Sequence, residues 1–99
     1  MDRRTSRALL NIRASVAAGR FRLGVHFRER LAERGLLWSD VLAVLDDPAD
    51  VLDDGADRYE RPKWRLAGDA ADGLPIEFVC ALDRDARGIV TVFITLYVR

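Results

Sequence analysis

Apolar residues recur at helical spacing near the start of the chain. Leu9, Ile12 and Val16 lie one turn apart and predict a first helix. Ser6 is the expected N-cap of this helix, because its hydroxyl can accept a hydrogen bond from a free backbone N–H. Gly19 is the expected stop, because glycine tolerates the backbone that ends a helix.

Two more helices follow. The range 26–34 carries Phe27 and Leu31 one turn apart and precedes a glycine, which predicts a second amphipathic helix. A third helix is predicted where Ser39 and Asp40 open a segment with four apolar residues, because a proline follows its end.

A period of two, typical of strands, appears elsewhere. Short strands are predicted near 21–25 and 51–52, and apolar and basic residues alternate over 62–66. The ranges 76–82 and 89–98 are rich in β-branched and aromatic residues and are joined by a turn. Helices followed by strands indicate an α+β fold, with the N-terminal helices packed on one face of a three- to four-stranded antiparallel sheet.

Length and composition fit one domain over 1–99 with its own core, since 49% of the 99 residues are hydrophobic. No apolar run reaches the roughly 20 residues of a membrane helix, and no secretory signal is recognisable at the N-terminus. Cys80 is the only cysteine, which excludes an internal disulfide. A cytoplasmic protein without membrane contact is therefore expected.

The formal net charge is zero, but the charges are segregated along the chain. Residues 1–34 hold nine arginines against three acids, whereas 40–60 hold seven aspartates and one glutamate against one arginine. Such asymmetry is compatible with an anionic partner. It is equally compatible with an acidic segment that folds against a basic one.

The second helix carries the first candidate for chemistry. His26, Arg30 and Arg34 are spaced by four and form one stripe about 12 Å long on its solvent side. RNA cleavage by internal transesterification needs an acid/base group that titrates near neutrality and cations that stabilise the phosphorane. The simpler alternative is a solvated helix face, with the arginines paired to Glu29 and Glu33.

The second candidate is a basic strand. Arg61, Lys63 and Arg65 alternate with apolar residues, so their side chains share one face while Trp64 points the other way. This pattern predicts an RNA- or phosphate-binding surface. It is also typical of an edge strand that its charges protect from aggregation.

The last strand supplies polar groups at a spacing of two. Thr91, Phe93, Thr95 and Tyr97 are predicted to share one face. Thr95 and Tyr97 are expected to donate hydrogen bonds to a phosphate or a base, and Tyr97 or Phe93 to stack on one. The alternative is that both residues serve packing and strand propensity.

No other constellation supports a site. An acidic run resembles a calcium loop, but Leu52 and Arg61 occupy two of its ligand positions. One histidine and one cysteine cannot form a usual zinc set, and Cys80 lies in an apolar strand run. No catalytic serine triad, P-loop or dinucleotide fingerprint is present, so neither a metal nor a cofactor is expected.

Several short runs together resemble the signature of a bacterial family, domain of unknown function 4258. The runs are Phe21-Arg22-Leu23-Gly24-Val25-His26, Arg30-Leu31, Glu33-Arg34-Gly35-Leu36, Ser39-Asp40-Val41 with Pro48, and Phe93-Ile94-Thr95-Leu96-Tyr97. The resemblance covers 21–97 as a core and leaves 1–20 as a separate N-terminal helix. Gly24 stands where the family usually has a serine or threonine that caps the helix.

The resemblance implies an α+β fold similar to RelE/ParE-like toxins and colicin-type ribonucleases, and a role as a toxin. On this analogy His26 is the acid/base residue, and Arg30 and Arg34 hold the scissile phosphate. Lys63, Thr95 or Tyr97 would complete the site.

Two classes of function follow as hypotheses. The first is a metal-independent endoribonuclease of the toxin type, with RNA as substrate and a protein antitoxin as partner. The second is a non-catalytic protein-interaction module that uses the segregated charges and a strand edge. RNA binding without cleavage is a third hypothesis.

Overall fold

The computed structural model describes residues 1–99 as three helices and five strands. In chain order they are α1 (Arg3–Ala17), β1 (Phe21–Leu23), α2 (Val25–Arg34), α3 (Trp38–Asp46), β2 (Asp50–Ala56), β3 (Pro62–Asp69), β4 (Pro75–Asp85) and β5 (Gly88–Val98). The protein is therefore α+β, as its sequence predicts. None of the helices combines the length and the apolar character that crossing a membrane requires.

The five strands form one mixed sheet in the order β1-β5-β4-β3-β2. The expected sheet of three or four antiparallel strands is wrong in two respects. The short strand β1 joins the sheet and pairs in parallel with β5, with Leu23 opposite Phe93. At the other edge β2 extends as far as Ala56, beyond the short strand predicted near 51–52, because an irregularity after Asp53 lets it keep pairing with β3.

All three helices pack on one face of the sheet. One core cluster unites Ile12 of α1, Phe27 of α2 and Val44 of α3 with inward-facing strand residues such as Trp64 and Phe78. The opposite face, called the open face below, carries no helix. Because side chains alternate along a strand, the strand residues that lie between the core residues place their side chains on this open face.

Aromatic rings centred on Phe93 hold β5 against the helices. Phe93 is fully buried and lies 5.3 Å from the ring of Phe27, 5.2 Å from that of Trp38 and 5.7 Å from that of Phe78, measured between centroids. The buried area of such rings makes them the main contributors to a small core. The N-terminal half of α2 is therefore fixed to β5.

The predicted shared face of β5 is wrong. The pairing with β4 shifts between Phe93 and Thr95, so that Ile94 is an extra residue on β5. As a result Thr91 and Phe93 point to the helices, whereas Thr95 and Tyr97 follow the bulge on the open face, on either side of buried Leu96. The bulge breaks the period of two on which the prediction depended.

The start of α1 also differs from the prediction. Asp2, and not Ser6, is the N-cap, and its carboxylate accepts the backbone N–H of Thr5 at 2.7 Å. This hydrogen bond lowers the pKa of Asp2 below its usual value. The helix begins four residues earlier than predicted because a good capping residue, Asp2, precedes its first turn. That turn is polar and carries no apolar periodicity, so the hydrophobic pattern does not indicate it.

Cys80 offers a test of core burial. Complete burial raises the pKa of its thiol to about 12, from an ordinary value near 9. The folded thiol therefore stays protonated, and its contribution to stability is full below pH 9 and is lost as the pH rises from 9 to 12. At pH 10 we expect the wild-type free energy of unfolding to lose about 1 kcal/mol more than that of Cys80→Ala, relative to pH 8.

Urea unfolding of both proteins at the two pH values measures this difference. The same thiol should resist an aromatic disulfide reagent at pH 8 until urea unfolds the chain. Rapid labelling of the folded protein, or an identical pH response of the two proteins, would contradict the described burial.

Candidate functional site

Helix α2 starts from a backbone contact with the sheet. The N–H of Gly24 donates to the carbonyl oxygen of Phe93 at 2.8 Å, and α2 begins at the next residue. Gly24 is the N-cap and supplies no side-chain hydrogen bond, while Gly35 ends the helix in the left-handed conformation with φ 63°. The predicted end of this helix is confirmed, and its beginning is fixed by β5.

His26 projects into solvent from the first turn of α2. Its side chain is 82% exposed, whereas the next residue, Phe27, is fully buried. The nearest carboxylate is that of Glu29, one turn along, with an oxygen 3.7 Å from Nδ1. This separation exceeds a hydrogen bond, so the imidazole is free to meet a ligand.

Arg30 and Arg34 follow on the same helix. Arg30 is 42% exposed and lies 3.6 Å from a carboxylate oxygen of Glu33. Arg34 is exposed in the last turn and has no carboxylate within 4 Å. Eight residues separate Arg34 from His26, which places it about 12 Å further along the helix axis. The glutamates thus contact the stripe only loosely.

The basic strand lies on the open face and is neutralised by carboxylates. Arg65 binds Glu77 at 2.5 Å and Asp54 at 3.4 Å, and Lys63 lies 3.7 Å from the same Asp54. The hydrogen bond that Arg65 donates to Glu77 is the main cause that raises the pKa of Arg65. Part of the acidic segment therefore folds against the basic strand, the alternative that the sequence left open.

Arg61 is held more tightly than its neighbours on the strand. Its Nε lies 2.7 Å from Asp57 and its Nη1 lies 3.2 Å from Asp83. Desolvation lowers the pKa of Arg61, but the two carboxylates outweigh it and the net shift is upward. Asp57 responds in the opposite direction: burial raises its pKa, and the hydrogen bonds from Arg61 and Tyr59 lower it further than burial raises it.

Thr95 and Tyr97 share the open face with the basic strand. Thr95 is level with Val79, which is level with Arg65, so two strand spacings, about 10 Å, separate Thr95 from Arg65. Tyr97 is level with Glu77 and is partly exposed. These groups lie on one surface, but they do not form a compact cluster.

The two predicted groups of residues lie on opposite sides of the sheet, since α2 packs on the face that carries the helices and the basic strand presents its cations on the open face. Val25, the residue before His26, lines an open groove of about 610 Å³ together with Arg22, Arg61 and Tyr59. The groove therefore joins the first turn of α2 to the basic strand. Arg30 and Arg34 do not line it.

Sequence reasoning missed the arginines that flank this groove. Arg22 lies between the core-facing Phe21 and Leu23, and an adjoining depression of about 620 Å³ adds Arg84 and Arg87. Alternation along β1 already pointed Arg22 away from the core. The signal for the other two is their place around the turn between β4 and β5, which was taken only as a connection.

Asp83 connects the two depressions and lines both. It accepts hydrogen bonds from the backbone N–H of Arg84 at 2.8 Å, from Arg22 at 2.7 Å and from Arg61 at 3.2 Å. The backbone hydrogen bond is the largest cause that lowers its pKa, and the two guanidinium groups add to it. Asp83 thus stays ionised well below neutral pH.

No group of three or more histidine, cysteine, aspartate or glutamate side chains is arranged to hold a metal ion. The polar side chains that line the groove and the adjoining depression are five guanidinium groups, two carboxylates and one phenol ring. Their chemistry suits an anion with aromatic parts better than a metal or a redox cofactor.

These features define an α+β protein whose second helix presents an exposed histidine beside an arginine-lined groove. The chain belongs to the family described as Domain of unknown function (DUF4258), whose sequence profile matches residues 23–94. The match contains α2 and the basic strand, and it ends one residue before Thr95. No curated protein and no solved structure matches the chain.

Gly24 tests whether the backbone contact positions α2. A Cβ at this residue would lie 2.9 Å from the carbonyl oxygen of Phe93, so a side chain must push α2 away from β5. We expect Gly24→Ala to lower the free energy of unfolding by about 1–3 kcal/mol. Gly24→Ser should recover part of the loss, because its hydroxyl can cap the helix.

Urea unfolding measures both variants, with Val25→Ala as the control at the next, exposed position. The control should change stability by less than about 0.5 kcal/mol. If Gly24→Ala is as stable as the wild type, the close approach of the two backbones does not constrain α2.

Proposed function

We propose that the protein is a toxin-type, metal-independent endoribonuclease, related in fold to RelE/ParE-like toxins and colicin-type ribonucleases. Its substrate is RNA, and a protein antitoxin is its natural partner. The observation that carries the proposal is His26, the only imidazole of the chain, standing exposed on the first turn of α2 beside the groove that Arg22 and Arg61 line.

Histidine suits the proposed reaction because it both accepts and donates protons near neutral pH. The neutral imidazole of His26 takes the proton of a ribose 2′-hydroxyl, and the freed oxygen attacks the adjacent phosphorus. The 5′-oxygen of the next nucleotide leaves and receives a proton from the imidazolium. The products are a 2′,3′-cyclic phosphate and a free 5′-hydroxyl.

Charge stabilisation falls to the arginines of α2. Arg30 lies one turn from His26, and its guanidinium group stabilises the additional charge of the phosphorane. Arg34, a further turn away, holds a neighbouring phosphate.

The open face extends the proposed site. Arg61, Lys63 and Arg65 bind phosphates by exchanging their carboxylate partners for phosphate oxygens, and Thr95 and Tyr97 donate hydrogen bonds to the same strand of RNA. Partly exposed ion pairs contribute little net free energy, so the exchange costs little for Lys63 and Arg65, and it costs more for Arg61, whose pair with Asp57 is largely buried.

Removal of the imidazole is the main test. With purified protein and RNA in EDTA, we expect wild-type cleavage to leave 2′,3′-cyclic phosphate ends. We expect His26→Ala to lower the rate about 100-fold or more, because no other group of the chain replaces the acid/base function. End-group analysis of the products and single-turnover kinetics measure both effects.

Arg28→Ala is the matched control, since it removes a positive charge from α2 on a face about 200° from the His26 stripe. The control should cleave at nearly the wild-type rate, whereas Arg30→Ala should be slower. Equal cleavage by wild type and His26→Ala, or cleavage that stops when EDTA is added, would refute the proposal.

A second candidate is a non-catalytic protein-interaction module. The observation that favours it is the balance of charge on and beside the open face, where four cations meet four carboxylates. The cations are Arg22, Arg61, Lys63 and Arg65, and the carboxylates are Asp54, Asp57, Glu77 and Asp83. A neutral mosaic of both signs fits a protein surface better than a polyanion.

Charge exchange across one ion pair tests this candidate. The double variant Arg65→Glu/Glu77→Arg keeps an ion pair between these two positions. It exchanges the positive and the negative charge that the open face presents to a partner. If the open face binds protein, the variant should lose complex formation with the protein partner that the wild type binds, measured by calorimetry, while circular dichroism shows that it is folded. Unchanged affinity would exclude the open face as the interface.

A further inference from the structure

The largest group of arginines lies at the end of the sheet where β4 turns into β5. Two adjoining depressions there share Arg22 and Asp83 and together form one groove, called the arginine groove. Five guanidinium groups line it, from Arg20, Arg22, Arg61, Arg84 and Arg87.

The charge of the groove is not balanced. Only two carboxylates, Asp83 and Asp85, are part of its lining. Asp83 is shared by Arg22 and Arg61, Asp57 just outside the lining also binds Arg61, and Asp85 binds Arg20, so the excess of positive charge comes from Arg84 and Arg87. Arg84 and Arg87 are exposed and have no carboxylate within 4 Å. The groove thus differs from the neutral open face beside it.

The groove is elongated and has an aromatic group at one end. Arg22 is level with Val92, and four residues along β5, about 13 Å, separate this level from Gly88 beside Arg87. Tyr59, which is 63% exposed, lines the end nearest α2. A cationic track with an exposed aromatic ring is the usual platform for a single-stranded nucleic acid.

We infer that the arginine groove binds the phosphate backbone of single-stranded RNA, with Arg84 and Arg87 as phosphate contacts and Tyr59 as a stacking surface for a base. This inference rests on the proposed function, because it names the path along which RNA reaches His26. Unpaired guanidinium groups are the better phosphate ligands here, since they have no internal partner to release.

Binding of an uncleavable oligonucleotide tests the groove separately from catalysis. A fluorescent 2′-O-methyl RNA of mixed sequence is titrated with the protein, and its anisotropy is followed at several salt concentrations. The double variant Arg84→Ala/Arg87→Ala should raise Kd at least about 10-fold and reduce the slope of log K against log salt by about 1.4.

The matched control is Arg3→Ala/Arg7→Ala, which removes the same charge from two exposed arginines on α1 without a carboxylate partner. Its Kd should change less than about 2-fold. Tyr59→Ala should weaken binding without changing the salt slope, because stacking releases no counterions. Circular dichroism and urea unfolding establish that all variants are folded.

An equal loss of affinity in the two double variants would overturn the inference, because affinity would then follow total charge. An unchanged Kd for Arg84→Ala/Arg87→Ala, or no binding by the wild type, would overturn it as well. If the wild type cleaves RNA but the groove variants bind RNA normally, the groove is not the RNA-binding surface, and the proposed ribonuclease activity is still supported. If the groove variants lose binding but the wild type never cleaves RNA, RNA binding by the groove is supported and the catalytic role of His26 is refuted.

Discussion

The hydrogen bond from the N–H of Gly24 to the carbonyl of Phe93 is the constraint on which the candidate site depends. It ends the parallel pairing of β1 with β5 and fixes the residue at which α2 begins. Helical rotation then places Phe27 in the core and His26 in solvent. A start one residue earlier would place His26 at the position where Phe27 is now buried.

The same constraint bears on the missing side-chain cap of α2. A serine or threonine at Gly24 would cap α2, but its Cβ would meet the Phe93 carbonyl at 2.9 Å. This chain therefore lacks a side-chain cap on α2 and gains a closer approach of helix and sheet. The first turn of α2 is fixed by the backbone of β5 and by aromatic packing around Phe93.

Charge is used in two ways in this fold. Around β3 the cations of one segment meet the carboxylates of another, and the charges cancel. Around the turn between β4 and β5 the arginines outnumber the carboxylates, and Arg84 and Arg87 stay unpaired. A strongly basic pattern along one strand therefore does not by itself indicate unpaired positive charge. The two surfaces differ mainly in whether their cations are paired with carboxylates, rather than in the number of cations.

Local patterns predicted more of the fold than of the site. The helix from His26 to Arg34 follows from Phe27, Leu31 and the glycine after it, because these features are local. The parallel pairing of β1 and the bulge at Ile94 depend on contacts between distant segments, which periodicity does not encode. The groove was missed for the same reason, since Arg22 and Arg84 become neighbours only when β1 lies beside the sheet.

The central claim, that His26 meets RNA, is tested most directly by NMR of its imidazole. The chain has one histidine, so the ring resonances need no assignment. Saturation with a 2′-O-methyl RNA, which binds but cannot react, should shift these resonances in the wild type. Imidazole resonances that stay unchanged when binding is complete by anisotropy would contradict the account.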